Sequence, residues 1–136
     1  MATLFTRIIN GELPGRFIYT DDLAVAFLTI SPLTPGHTLV VSREEVDQWT
    51  DAGQPLLHHC LDVARFIGNA AKRAFDAPRA GLVIAGLEIP HLHVHVFPVW
   101  AMEDFDFSRA RPAGDEELDQ AAARLRAAIK PGDRLL

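Results

Sequence analysis

Apolar and polar positions alternate most strictly over residues 91–97, where His91, His93 and His95 are interleaved with Leu92, Val94 and Val96. A period of two with β-branched spacers predicts a strand. Successive side chains on a strand point to opposite faces, so the three histidines share one face with Phe97 while the aliphatic residues press the other into a core. Elsewhere the pattern is mixed. Residues 3–10 fit a helix or an extended segment, with Phe5, Ile8 and Ile9 apolar, and Gly11 to Gly15 read as a turn. Residues 17–19 and 24–29 predict two strands joined by a tight turn at Asp21-Asp22. Prolines and glycine make 31–36 a loop, and 38–42 is a buried strand entered at His37. Ser42 and Glu45 stand at capping-box spacing, predicting a short helix to about Thr50.

Pro55 suits the first turn of a long amphipathic helix that runs to about Phe75. Leu56, His59, Cys60, Val63, Ile67, Ala70, Ala71 and Ala74 recur along it at helical spacing, and His58 and His59 read as solvated or partly packed. Asp76-Ala77-Pro78 breaks it, and 80–85 is a strand leading into the histidine strand. Residues 103–107 form an acidic, aromatic loop, and Arg111 to Gly114 is a breaker. A last helix spans 116–130, with Leu118, Ala122, Leu125 and Ile129 on one side and Pro131-Gly132 after it. The sum is an α+β protein: an antiparallel sheet of about five strands packed with one long helix and shorter helices. The expectation is one domain over 1–136.

Composition changes this picture little. The chain has 136 residues, 49% hydrophobic and 23% charged, as an ordinary globular domain does. A formal charge of −5 argues against non-specific nucleic-acid binding but not against a small nucleotide held by a few local groups. The single cysteine, Cys60, excludes an internal disulfide and reads as a buried thiol. No basic leader pattern and no apolar run of about 20 residues is present, so a cytoplasmic protein with no membrane span is expected.

The histidine row changes it more. On a straight strand rising roughly 3.3 Å per residue, the outer two Cα atoms lie about 13 Å apart. Zinc–nitrogen bonds are about 2 Å long, so the three imidazoles do not converge on one ion. Work on a phosphate fits better, since an extended target takes a nucleophile at phosphorus and proton donors along its oxygens. Imidazole serves in either role.

The run His91-Leu92-His93-Val94-His95-Val96-Phe97 resembles the signature of the histidine triad (HIT) family of nucleotide hydrolases and transferases. Phe5 to Ile8 with Gly11-Glu12-Leu13-Pro14 resembles the family's amino-terminal segment, and 19–22 with 26–28 its first hairpin. Pro35-Gly36-His37-Thr38-Leu39-Val40-Val41 resembles the strand that supplies a fourth histidine. The likeness covers about 4–98, leaving a loop and helix over 99–136. It implies a nucleotide hydrolase, of the phosphoramidase or dinucleoside polyphosphate type, acting on a purine nucleotide. In that reading His93 attacks the α-phosphate to give a nucleotidyl-histidine intermediate, and His91, His95 and His37 orient it, neutralise phosphate charge and relay protons. The resemblance also implies that Leu4, Phe5, Ile8, Phe27, Thr29, Ile30, Glu88 and Ile89 contact substrate, that backbone N–H groups over 86–89 face the phosphate, and that the protein is a homodimer. No cofactor is implied.

The chain departs from the family's pattern at several positions. Thr29 stands where many members have a ribose-binding aspartate, Glu45 where a further histidine is common, and Leu87 and Glu88 where glutamine and a small polar residue precede the triad. A hydroxyl offers no charged bidentate grip on a ribose. The loop before the triad reads as shortened. Some members carry a structural zinc on amino-terminal cysteines and the later histidine, but residues 3–9 contain no cysteine, so no metal is expected. The alternatives are a nucleotide- or partner-binding protein without catalysis and, more remotely, a metal-binding protein.

Overall fold

The computed structural model describes residues 1–129. Five antiparallel strands form one sheet: β1 (Phe17–Thr20), β2 (Ala24–Leu28), β3 (Thr38–Ser42), β4 (Arg79–Val83) and β5 (His93–Val99), in the order β1-β2-β3-β5-β4. Three helices accompany it, α1 (Leu4–Ile9), α2 (Gln54–Phe75) and α3 (Asp115–Ala128). The α+β architecture expected from the sequence is the one observed.

Strand alternation sorts the apolar residues into two cores. Ala24, Ala26, Leu28, Val40, Val94 and Val96 pack with Cys60, Val63, Ile67 and Ala71 of α2 and with Leu118, Ala122 and Leu125 of α3. The other face buries Val25, Phe27, Leu39 and Val41 beneath Phe5 of α1, with Ile8, Phe17 and Ile89 at the margin. Two covered faces explain why β2 and β3 are buried at every position, and why their sequences run apolar without alternating. Burying one side chain the size of Phe27 is worth roughly 1.5–3 kcal/mol, so α1 is fastened by its apolar face despite its short length.

Helix α2 starts after Gly53 with Pro55 in its first turn and is closed by Asp76, whose left-handed backbone lets the Ala77 N–H reach the Lys72 carbonyl. Cys60 is fully buried in it, and burial pushes its thiol up to about 11. His59 does more than the sequence suggested: its Nε2 lies 2.6 Å from Asp21 Oδ2. Asp21 also accepts from Tyr19 Oη and the N–H groups of Leu23 and Ala24. One carboxylate thus organises the β1–β2 turn and ties it to α2.

Residues 3–10, which fit a helix or an extended segment, form helix α1, because Thr3 caps it by accepting from the Thr6 N–H. Three expectations need correction. No helix starts at Ser42, and the expected stretch holds only a 3₁₀ turn over Trp49–Asp51. The Ser42 N–H bonds the Leu92 carbonyl, its hydroxyl the Glu44 carbonyl, and Glu45 turns to Thr3 and Thr6 instead of closing a capping box. Strand β4 ends at Val83, two residues early, leaving 84–92 as a nine-residue connection into β5. Helix α3 begins at Asp115 and ends at Ala128; the expected stop at Lys130, Pro131 and Gly132 lies outside the described residues.

Candidate functional site

The histidines meet where β3 and β5 run side by side. Leu39 pairs with His95 and Val41 with His93 in the ladder. His93 and His95 point away from α2 and α3, toward the face that α1 covers, as alternation requires. His91 lies outside the ladder, which begins at His93, correcting the expectation of three histidines on one strand. It keeps to the same side nevertheless, because the Phe5 ring packs edge-on against both His91 and His93. That face is no solvent surface: His91 is 0% and His93 7% exposed.

Hydrogen-bond partners assign each ring's protons. His91 Nε2 is 2.6 Å from the Ser42 carbonyl, an acceptor only, so Nε2 carries the proton and Nδ1 accepts from Thr3 Oγ1 at 2.6 Å. His93 Nδ1 donates to the His91 carbonyl at 2.7 Å. In the neutral ring this leaves a lone pair on Nε2, which has no partner among the described residues. All buried side-chain nitrogens and oxygens described are paired, so this unpaired nitrogen opens to the surface. His93 also lines a depression of about 280 Å³, with Asp47, Gln48, Trp49, Ile84, Ala85, Gly86, Leu87 and Leu92.

The fourth histidine completes a second arm. Gly36, at φ +88° against the Phe75 ring, turns the chain into β3 and sets His37 beside His95. The Leu33 N–H donates to His37 Nδ1 at 3.0 Å, so His37 Nε2 holds the proton and donates to His95 Nδ1, also at 3.0 Å. His95 is left with its proton on Nε2. Burial, reinforced by the neighbouring His95, pushes His37 down to about 3. Burial and the adjacent His93 push His95 down to about 4. Burial lowers His93 as well; its bond to the His91 carbonyl opposes this, His91 adds to it and Glu88 opposes it. Rings that are neutral at pH 7 offer N–H groups and lone pairs.

The remaining expected contacts divide. Phe5 and Phe27 are closed into the core with rings 5.7 Å apart. Ile8 and Ile89 pack at its margin, while Leu4 and Ile30 are exposed. Thr29 Oγ1 accepts from the Ser31 N–H, and the Ile30 carbonyl accepts from Ala113. Glu88 is exposed, near enough to His93 to act on its charge. Sequence reasoning missed Phe107, whose ring lies 5.0 Å from His95 and 6.3 Å from His37. It belongs to a 3₁₀ turn (Phe107–Arg109) that no local pattern connects to the triad. Thr3 was missed also, although a threonine before an apolar helical turn is a cap signal.

Structural zinc sites use thiolate and imidazole donors. Here Thr3, Thr6 and Glu45 offer hydroxyls and one carboxylate already bonded to one another, and His91 Nδ1 is taken by Thr3. Among the described residues no group of three or more His, Cys, Asp or Glu is placed to hold a metal ion. The residues present do not fit a structural zinc.

Comparison with known proteins agrees with this geometry. An uncharacterised HIT-like protein of Borreliella burgdorferi is 39% identical over 113 residues, 78% of this chain and 81% of that protein. A zinc-bound histidine triad protein from Mycobacterium smegmatis superposes with a TM-score of 0.82 at 28% identity, covering 95% of this chain and 94% of that one. A hypothetical histidine triad nucleotide-binding protein from Sulfolobus tokodaii gives 0.81 at 29% identity, covering 92% and 90%. Residues 10–101 match the family described as "HIT domain", and the chain belongs to that family.

Proposed function

We propose that this protein hydrolyses a purine nucleotide at its α-phosphate, through a nucleotidyl intermediate on His93, with an amine or a phosphate as leaving group. One observation carries the reading: the His93 imidazole is fixed by its Nδ1–H bond to the His91 carbonyl, which leaves its Nε2 lone pair without a partner among the described residues. Its family is one of nucleotide hydrolases and transferases, and the Sulfolobus tokodaii relative is named as nucleotide-binding.

In the first step the Nε2 lone pair attacks the α-phosphorus, the bond to the leaving group breaks, and the leaving group departs with the bonding electrons. His95, held by His37, has an Nε2–H to offer the phosphoryl oxygens or the leaving atom as charge develops. The leaving group takes up a proton from solvent as it departs; in the second step water attacks phosphorus, the P–N bond breaks and water's proton returns to solvent, leaving His93 in its neutral form. Backbone N–H groups over 86–89, of which Gly86 and Leu87 line the depression with His93, would support the phosphate. The packed positions of Phe5 and Phe27 support a wall behind the base, not direct grips on it. The edge strand β4 and α2 supply a face for pairing two copies, with Leu61 and Leu82 exposed there, and sedimentation tests that dimer.

The decisive experiment is mass spectrometry of the intact protein quenched without acid after brief mixing with an adenosine phosphoramidate. An adduct mapping to His93, lost with turnover in His93→Ala, is the expected result. No adduct and no hydrolysis with adenosine or guanosine substrates overturns the reading.

A further inference from the structure

Beside α1, four side chains from three separated stretches meet: Thr3, Thr6, Glu45 and His91. We propose that Thr3 and Glu45 are positioning residues, which with Thr6 form a hydrogen-bonded clasp that holds His91 in one tautomer and, through the His91 carbonyl, presents His93 with its Nε2 lone pair outward. The inference rests on the proposed role of His93 and takes the place of the metal these residues do not fit.

Proton accounting carries the argument. Glu45 Oε1 only accepts, and it takes the Thr3 N–H at 2.8 Å and the Thr6 hydroxyl at 2.6 Å. The Thr6 N–H goes to Thr3 Oγ1 at 3.1 Å. With the Thr6 hydroxyl committed to the carboxylate, the Thr3 proton goes to His91 Nδ1, the 2.6 Å contact, over Thr6 Oγ1 at 3.3 Å. At the far end the Ser42 carbonyl, again an acceptor only, takes the His91 Nε2–H. The two acceptor-only ends fix the sense of the bonds between them, and reversing either bond of the His91 ring leaves a buried group unpaired.

The clasp matters because of where His91 sits. The β3–β5 ladder starts only at His93, so no pairing between strands holds His91 itself. Its N–H makes a turn bond to the Ile89 carbonyl, and its own carbonyl receives His93 Nδ1. Side-chain bonds at both ring nitrogens therefore anchor the carbonyl that orients the nucleophile. Removal of the Thr3 hydroxyl would strand His91 Nδ1 in a ring that is 0% exposed, and turning the ring to recover a donor would give up the Ser42 bond.

The test pairs Thr3→Val, which keeps shape and loses the hydroxyl, with Thr3→Ser, which restores it. Glu45→Gln at the exposed end of the clasp is the second probe. Imidazole tautomers are read from long-range nitrogen–proton correlation spectra of the nitrogen-15-labelled protein, alongside kcat and KM for an adenosine phosphoramidate. Wild type should show His91 protonated on Nε2 and His93 on Nδ1. Thr3→Val should mix these populations and lower kcat by about tenfold or more with KM little changed, as loss of a group that orients a reacting side chain does. Thr3→Ser should restore both, and Glu45→Gln should shift both in the same direction by less. Unchanged tautomers in Thr3→Val overturn the clasp whatever the melting temperature does. If wild type turns over no substrate, the reading of His93 as nucleophile fails, while the spectra still decide whether the clasp holds the rings.

Discussion

At the scale of single residues, His91 and His93 differ in what their nitrogens are doing. Both His91 nitrogens are occupied and the ring is fully buried; His93 has one nitrogen committed and one free. Their substitutions should therefore fail differently. His91→Ala leaves a void and an unpaired Ser42 carbonyl, and should cost about 3 kcal/mol in urea denaturation. His93→Ala removes one buried bond; it should keep a folded protein by the same measurement while turnover disappears. The rate should also survive mild acid. Burial first, against the opposing bond to the His91 carbonyl, holds His93 below its ordinary 6.5, so the nucleophile stays unprotonated further down the scale. The acid limb of kcat/KM should fall below pH 6.5. Because the Glu88 charge raises His93, Glu88→Gln should move that limb lower still; a limb at 6.5 or above would contradict the burial of the ring.

At the scale of elements, what was legible in the sequence was what repeats. The period-two run located β5, short apolar runs bounded by turn residues located β2 and β3, and the helical spacing from Leu56 to Ala74 located α2 with its start at Pro55. Contacts between distant segments were not legible. Ser42 and Glu45 carry a capping-box spacing, yet Glu45 bonds residues 42 and 39 positions away, at Thr3 and Thr6. A carboxylate near two donors of another helix outweighs a local cap. The four histidines were legible because they lie in two short motifs. Phe107 was not, since its place beside His95 depends on how the segment after β5 folds back. That fold-back hangs on Gly81 in β4. A Cβ there would stand 2.7 Å from the Phe105 ring and 3.0 Å from Phe97, and Phe105 packs edge-on to Phe97. Gly81→Ala should destabilise the protein by about 1–3 kcal/mol through overpacking. With Phe105→Leu in the same chain the two losses should be less than additive, because the smaller side chain relieves the clash. Additive losses would place the strain elsewhere.

At the scale of the whole molecule, the site is built at the expense of acid stability, and the sign follows from linkage. His37 and His95 are held at about 3 and about 4 by burial first and second by a neighbouring ring, His95 for His37 and His93 for His95. In the unfolded chain they titrate near 6.5. Between those values the unfolded chain binds protons that the folded protein refuses, so stability rises with pH there and is lost as pH falls from about 6.5 toward 4 and 3. Asp21 acts in a separate window. Burial pushes its carboxyl up, but the bonds from Tyr19, Leu23, Ala24 and His59 outweigh this and hold it at about 2. Its contribution is intact above about 3.8 and is lost only as pH falls toward 2. Urea midpoints at a series of pH values should accordingly decline from pH 6.5 downward, well before carboxylates protonate. His37→Asn should lower the midpoint at pH 7 and flatten the decline between 6.5 and 4, whereas Asp21→Asn should leave that slope unchanged. A wild-type midpoint constant from pH 7 to 5 would mean that the buried histidines take up protons without unfolding, and the neutral-donor role given to His95 would fall with it.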